Sequence, residues 1–156
     1  MDKDAVLQLL SESGRQALET MFFALPDAIS SERLRPSGEL VAGSLTFAGE
    51  PPGRFGIVLS EPVARTIAAN FLGSDDENAL TPDQIGDVVA ELTNIICGSV
   101  LTDLEAKVNF DLSSPVAIHV PAGAPAPNYC EESPLACRFE LLGGSLLLCL
   151  AFEEAT

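Results

Sequence analysis

The segment that begins at Thr81 constrains the fold most, because it predicts one long, well-marked helix. Thr81 and Gln84 have the spacing of a capping box. Pro82 suits the first helical position, and Asp83 suits the positive end of the helix dipole. Apolar residues then recur with a helical period as far as Leu104. We therefore expect a long helix with one face against a hydrophobic core.

The two sides of this predicted helix differ in chemistry. A rotation of about 100° per residue gathers apolar side chains on one side and polar ones on the other. The apolar side consists of Ile85, Val89, Leu92, Ile96 and Val100. The opposite stripe consists of Asp87, Glu91, Asn94 and Gly98. A carboxylate and an amide three residues apart, with a glycine one turn further on, favour a surface that docks another protein; an ordinary solvated helix face is the alternative.

Composition and charge narrow the class of protein. A chain of 156 residues with 47% hydrophobic residues is long and apolar enough for one globular unit with a substantial core. Its 23 acidic and 8 basic residues give a net charge of -15, which argues against binding to nucleic acid or to an anionic membrane. We expect a protein partner instead. The acidity either attracts a basic patch on that partner or serves solubility alone.

The remaining single-residue signals point to a reduced cytoplasmic protein without a metal. The first residues lead into an amphipathic run, so neither a signal peptide nor a membrane span is expected. Cys97, Cys130, Cys137 and Cys149 form no CxxC pair, and we expect buried free thiols. His119 is expected to be a structural residue on a strand.

The order of predicted elements indicates the fold class. Helices are predicted at 4–24 and 61–72, the latter capped by Ser60 and ended by Gly73, besides the helix that follows Thr81. Strands are predicted at 39–48, 54–59, 110–120, 135–142 and 145–152, with hairpin turns at 49–53 and at Gly143-Gly144. The acidic run 74–78 and the Pro-rich run 121–128 are expected to be loops. Helices packed on a mostly antiparallel sheet, in two pseudo-duplicated helix-plus-strands halves, make an α+β fold.

Six segments together resemble the CheC/CheX/FliY family of chemotaxis phosphatases. Three lie in and around the long helix, at 81–84, 87–94 and 95–99, and three precede it, at 44–47, 56–59 and 68–73. The resemblance extends over most of the chain and implies a single CheX-like phosphatase domain over residues 1–156.

The resemblance also implies a mechanism and a partner. Members of this family remove the aspartyl phosphate of the CheY response regulator, a receiver domain, by inserting the motif helix into its phosphorylation site. By this resemblance Glu91 anchors to the receiver's active-site lysine and Asn94 orients the attacking water. Asp87 and Gly98 are assigned to partner binding; a merely solvated position is the alternative for Asp87, and close packing within the domain is the alternative for Gly98. The chain itself needs no cofactor, because the receiver holds the Mg²⁺.

The first helix departs from the two-site pattern of CheC and FliY. The family motif has Asp or Ser four residues before a Glu, and Asn three residues after that Glu. In the first helix Arg15 stands at the Asp or Ser position and Phe22 at the Asn position, so only Glu19 of the motif is kept. The resemblance therefore implies one site, as in the CheX branch, and a homodimer formed through the sheets. A non-catalytic module that binds a receiver or a signalling complex through the same helix is the alternative function.

Overall fold

The computed structural model describes residues 2–32, 34–104, 110–125, 133 and 135–153. Within these residues there are three α-helices, α1 (Lys3–Thr20), α2 (Glu61–Leu72) and α3 (Pro82–Leu104), and a short 3-10 helix at Glu77–Ala79. Seven strands form one sheet: β1 (Ala28–Ser30), β2 (Leu40–Ala48), β3 (Gly53–Ser60), β4 (Asp111–Leu112), β5 (Val116–Val120), β6 (Leu135–Leu141) and β7 (Gly144–Phe152).

The sheet confirms the α+β fold. Its strand order is β1-β6-β7-β3-β2-β4, with β5 also paired to β2, and every pairing among the described residues is antiparallel. β4 and β5 share one edge of β2, since β4 pairs with Phe47 and Ala48 while β5 pairs with the stretch from Leu40 to Ser44. The helices pack against one face of this sheet, and α3 crosses β2 beside that edge.

The main core lies between the helices and the sheet. Its largest fully buried side chains include Phe22, Phe55, Phe139, Leu92 and Ile96. A smaller apolar cluster is buried on the opposite face of the sheet, and it consists of Leu40, Ala42, Val58, Val120, Ala136, Leu147 and Cys149. The second cluster explains why β7 is apolar on both faces.

The start of α3 confirms the predicted capping box. The Thr81 backbone N–H donates to Gln84 Oε1 at 2.8 Å, and the Gln84 backbone N–H donates to Thr81 Oγ1 at 3.2 Å. The apolar side predicted for this helix is buried throughout. By length and composition alone α3 could cross a membrane, with a mean hydropathy of 1.4, but core helices pass the same test. Packing against the sheet accounts for its apolar residues.

Several boundaries differ from the predictions, because tertiary contacts override local patterns there. α1 ends at Thr20 rather than at residue 24, although Phe22 beyond it is still fully buried. The strand predicted at 110–120 is two short strands, and between them Ser113 bonds to Thr46: its N–H donates to the Thr46 carbonyl and its hydroxyl accepts from the Thr46 N–H. β1 was not predicted, since its three residues are all exposed and lack a hydrophobic pattern.

The turns and caps also differ in detail. The β6–β7 turn lies on Leu142 and Gly143, which both have positive φ, one residue before the predicted Gly143-Gly144 pair. The β2–β3 loop has four residues, at 49–52, rather than five. Ser60 precedes α2 as predicted, but its hydroxyl lies 3.5 Å from the Ser145 carbonyl instead of capping the helix. Gly73 ends α2 with a left-handed φ of 67°, as predicted.

The cysteines divide into two groups. Cys97 and Cys137 are buried free thiols, as expected. Cys149 is disulfide-bonded, so the expectation of a free thiol is wrong for this residue. Cys130 lies outside the described residues, as do the predicted end of α3 near 107–109 and the second half of the loop predicted at 121–128.

Candidate functional site

The four residues predicted for the site share one stripe of α3 that faces away from the sheet. Asp87 and Glu91 are exposed, whereas Asn94 and Gly98 are half-buried. The residues of the opposite side, from Ile85 to Val100, lie in the core. The predicted separation of a core side from an outward polar stripe is therefore confirmed, while the roles of the four residues stay predictions.

The polar ends on this stripe have no partner in the part of the chain that the structure describes. The side chains of Asp87, Glu91 and Asn94 form no hydrogen bond or ion pair with any residue that the structure describes. Elsewhere the exposed acids of the acidic run do find partners: Asp76 accepts from the Asn78 N–H at 3.0 Å, and Glu77 accepts from the Thr66 hydroxyl at 2.9 Å. The stripe thus keeps a carboxylate and an amide free for an external group.

Three contacts hold α3 in place, two at its first turn and one on its buried side next to the stripe. The capping box holds its first turn, and His119 on β5 donates from Nε2 to the Pro82 carbonyl at 2.9 Å. Further along, Thr93 is completely buried and donates its hydroxyl to the Val89 carbonyl at 2.7 Å. That hydroxyl lies against Gly43 of β2, where a Cβ would come within 2.1 Å of it. The helix is anchored at its start and directly beside Asn94.

Gly98 is not required by the packing of the described residues. A Cβ built on Gly98 meets no atom within 4 Å. The sequence left two explanations for a glycine in this helix, a close approach by a partner or close packing within the domain. The second explanation does not hold, so the space above Gly98 is open to a partner.

A shallow groove runs beside the stripe and was not predicted. It has a volume of about 310 Å³ and lies between the end of α2 and the first half of α3. Its lining consists of Phe71, Leu72, Gln84, Asp87, Val88 and Glu91. The sequence gives no signal for this groove, because the exposure of the apolar residues at the end of α2 depends on where α2 ends relative to α3.

The first helix does not offer a second site. The carboxylate of Glu19 pairs with Arg15 Nη1 at 3.2 Å, so the one retained motif residue is already engaged. Phe22, at the place of the amide, is completely buried and stacks on Phe71 with ring centroids 5.0 Å apart. Both observations agree with a structural role for α1.

The described residues contain no group of three or more His, Cys, Asp and Glu side chains that could hold a metal ion. Asp87 and Glu91 lie one turn apart and form a pair only. Chemically, the stripe can offer an exposed carboxylate to a cation and a half-buried amide to a water or a phosphate oxygen.

Comparisons with known proteins indicate the family of this chain. The sequence model of the family described as chemotaxis phosphatase CheX matches residues 41–129, which is more than half of the chain and includes the whole stripe. A comparison with curated protein sequences finds no significant match.

Solved structures share the fold at low sequence identity. The chemotaxis protein CheX from Vibrio vulnificus aligns with a TM-score of 0.77 at 22% identity, covering 98% of this chain and 99% of the other. CheX in the CheX-CheY-BeF3-Mg+2 complex from Borrelia burgdorferi aligns with a TM-score of 0.71 at 21% identity, covering 94% and 97%. FliY from Thermotoga maritima aligns with a TM-score of 0.63 at 17% identity, covering 96% and 89%. Because the CheX family model matches more than half of the chain, the chain belongs to the CheX family of chemotaxis phosphatases.

Proposed function

We propose that this chain accelerates hydrolysis of the aspartyl phosphate on a CheY-like receiver domain. The outward stripe of α3 enters the phosphorylation site of the receiver. Glu91 pairs with the active-site lysine of the receiver, and Asn94 orients the water that attacks phosphorus. Asp87 and Gly98 lie on the contact surface, and the receiver supplies the Mg²⁺.

One observation carries the proposal: Glu91 and Asn94 share an outward stripe of a firmly anchored helix, and neither side chain is engaged within the described residues. A group that must meet a partner in a fixed geometry needs a rigid support and a free end. Membership of a chemotaxis phosphatase family supports the reaction class. The relative from Borrelia burgdorferi, whose structure is named as a complex with CheY, BeF3 and Mg²⁺, supports the kind of partner.

The reaction requires few chemical groups from this chain. The water oxygen forms a bond to phosphorus while the bond between phosphorus and the aspartate oxygen breaks. The products are inorganic phosphate and the free carboxylate, and the proton of the water passes to the phosphate. Because a carboxylate is a good leaving group and Mg²⁺ neutralises the phosphoryl oxygens, positioning of water is the main contribution left. An amide positions water without titrating.

The resemblance to the CheX family also supports a cytoplasmic location, since receiver domains act in the cytoplasm. It supports a homodimer as well, since CheX-like proteins pair through their sheets. Val116 and Ile118 on β5 are 58% and 50% exposed, which provides an apolar strip at the sheet edge. Sedimentation of the wild-type chain and of Ile118→Lys tests this. A dimer that becomes a monomer in the variant is expected, and a wild-type monomer at micromolar concentration excludes the dimer.

The decisive experiment follows the decay of phosphorylated CheY-type receivers from the same organism, with and without this chain. The matched variants are Asn94→Ala and Asn78→Ala, the latter an exposed asparagine in the 3-10 helix and outside the stripe. We expect wild type and Asn78→Ala to accelerate decay. Asn94→Ala should lose about a hundredfold or more of that acceleration while still binding the receiver.

The outcomes separate the two candidate functions. Acceleration that disappears only in Asn94→Ala establishes a phosphatase that uses this stripe. Binding to the receiver without any acceleration makes the chain a receiver-docking module. Acceleration that persists in Asn94→Ala removes the water-positioning role from this residue.

A further inference from the structure

We infer that the groove beside the stripe is a docking pocket for an apolar side chain of the receiver, next to its phosphorylated aspartate. Phe71 and Leu72 form the apolar wall of this pocket on α2, and Asp87 and Glu91 form its wall on α3. The inference rests on the proposed function and extends it, because it adds a second contact surface to the Glu91–Asn94 stripe.

The apolar wall is exposed to solvent, but contacts with neighbouring residues hold it in place. Phe71 is 37% exposed and Leu72 is 47% exposed, at the last turn of a helix whose other apolar residues are almost all buried. Phe71 stacks on the buried Phe22, and the Asn70 side chain donates to the Phe22 carbonyl at 3.1 Å. The end of α2 is thus tied to the end of α1. A rigid apolar surface that is left uncovered is typical of an interaction site.

The groove is continuous with the stripe that the proposed function assigns to the receiver. Asp87 and Glu91 belong to both, so a domain that covers the Glu91 carboxylate reaches the groove that Phe71 and Leu72 line. Burial of these two side chains adds affinity that does not depend on the phosphoryl group. Glu91 and Asn94 then provide the contacts that respond to the chemistry of the phosphorylation site.

Charge argues against a second copy of this chain as the occupant. A two-fold interface centred on the groove would bring Asp87 and Glu91 of one chain against the same carboxylates of its partner. Such an arrangement repels itself, whereas a receiver that offers a lysine to Glu91 complements the acidic wall.

The test compares two exposed leucines. Leu72→Gln keeps a good helix former at the end of α2 and removes the apolar contact. Leu34→Gln is the matched control, because Leu34 is 67% exposed and its carbonyl accepts from Arg138, away from the groove. The probe is the receiver that is dephosphorylated fastest in the decay experiment, activated with beryllofluoride and Mg²⁺. Its dissociation constant is measured at low and high salt.

We expect Leu72→Gln to raise the dissociation constant about tenfold and Leu34→Gln to leave it unchanged. The increase in dissociation constant caused by Leu72→Gln should be the same in 0.5 M salt, since salt screens charges but not apolar contacts. The increase caused by Glu91→Ala should be smaller in 0.5 M salt than in low salt. Leu34→Gln should also leave the hydrolysis rate at the wild-type value, because Leu34 lies outside both the groove and the stripe.

An unchanged dissociation constant for Leu72→Gln, in a chain where Glu91→Ala still weakens binding, overturns the docking pocket and leaves the proposed function intact. A wild-type chain that neither binds nor dephosphorylates any receiver overturns both. If Leu72→Gln changes the sedimentation of the free chain instead of its affinity for the receiver, the occupant is a second copy and the inference is wrong.

Discussion

The hydroxyl of Thr93 lies directly against Gly43, where α3 crosses β2. A Cβ at Gly43 would come within 2.1 Å of Thr93 Oγ1, 3.0 Å of Ile57 Cγ2 and 3.2 Å of Val89 Cγ1. Only glycine lets the helix approach the strand this closely. Because Asn94 follows Thr93 in the chain, the depth of this contact also sets the height of the Asn94 amide above the sheet.

Gly43→Ala should therefore lower the free energy of unfolding by about 1–3 kcal/mol, the usual cost of inserting a methyl group into a filled core. Urea denaturation measures the change. Thr93→Ala removes the hydroxyl that the new methyl meets, so the double variant should be less destabilised than the sum of the single variants predicts. Additive single effects would show that the two residues do not determine the helix position.

How far the sequence predicts this fold depends on how local each signal is. The capping box at Thr81 and the left-handed stop at Gly73 involve neighbouring residues, and both are confirmed. β1 forms only because its partner β6 lies beside it, and nothing in its own sequence shows this.

The site follows the same rule. The stripe of Asp87, Glu91, Asn94 and Gly98 is a property of one helix, so its outward orientation could be predicted from periodicity. The Thr93–Gly43 contact and the Phe71–Leu72 wall each join two elements that are distant in the chain. A single sequence gives no direct signal for such pairs.

Two buried thiols make the free energy of unfolding depend on pH in the alkaline range. Burial raises the pKa of the Cys97 thiol from 9.0 to about 12 and that of Cys137 to about 11. Below about pH 9 both thiols are protonated in the folded and the unfolded chain, and stability is unaffected. Above pH 9 the unfolded chain loses these protons first, so the free energy of unfolding should fall by up to about 1.4 kcal/mol per pH unit and thiol.

Urea denaturation between pH 8 and pH 11 checks this expectation. Cys97→Ala removes one of the two buried free thiols without adding a polar atom, so its free energy of unfolding should fall less steeply with pH than that of the wild type. Equal slopes for the two chains would mean that Cys97 does not titrate differently in the folded state.

Glu91→Ala should weaken binding to an activated receiver by about tenfold or more, because it removes the proposed partner of a lysine at a largely desolvated contact. Calorimetric titration with a beryllofluoride-activated receiver measures this. Glu19→Ala is the matched control on the pseudo-equivalent helix, where the carboxylate pairs with Arg15 instead. Affinity that is equal in Glu91→Ala and in the wild type would remove the lysine-anchor role from Glu91.

Substitutions of the two glycines in α3, Gly86 and Gly98, distinguish effects on helix stability from effects on the approach of the partner. A Cβ at Gly86 would make ordinary contacts, 3.8 Å from His119 Nε2 and 3.9 Å from Ala117 Cβ, and a Cβ at Gly98 would meet nothing within 4 Å. Alanine at either position should stabilise the free chain by about 0.5–1 kcal/mol, since glycine is a poor helix former. Gly98→Ala should nevertheless slow receiver dephosphorylation, because its methyl group fills space that the partner's backbone needs. Gly86→Ala should leave the rate of receiver dephosphorylation unchanged.

Stability is measured by urea denaturation and activity by the decay of the phosphorylated receiver. A Gly98→Ala chain that is more stable and fully active would show that the receiver does not approach this part of the stripe.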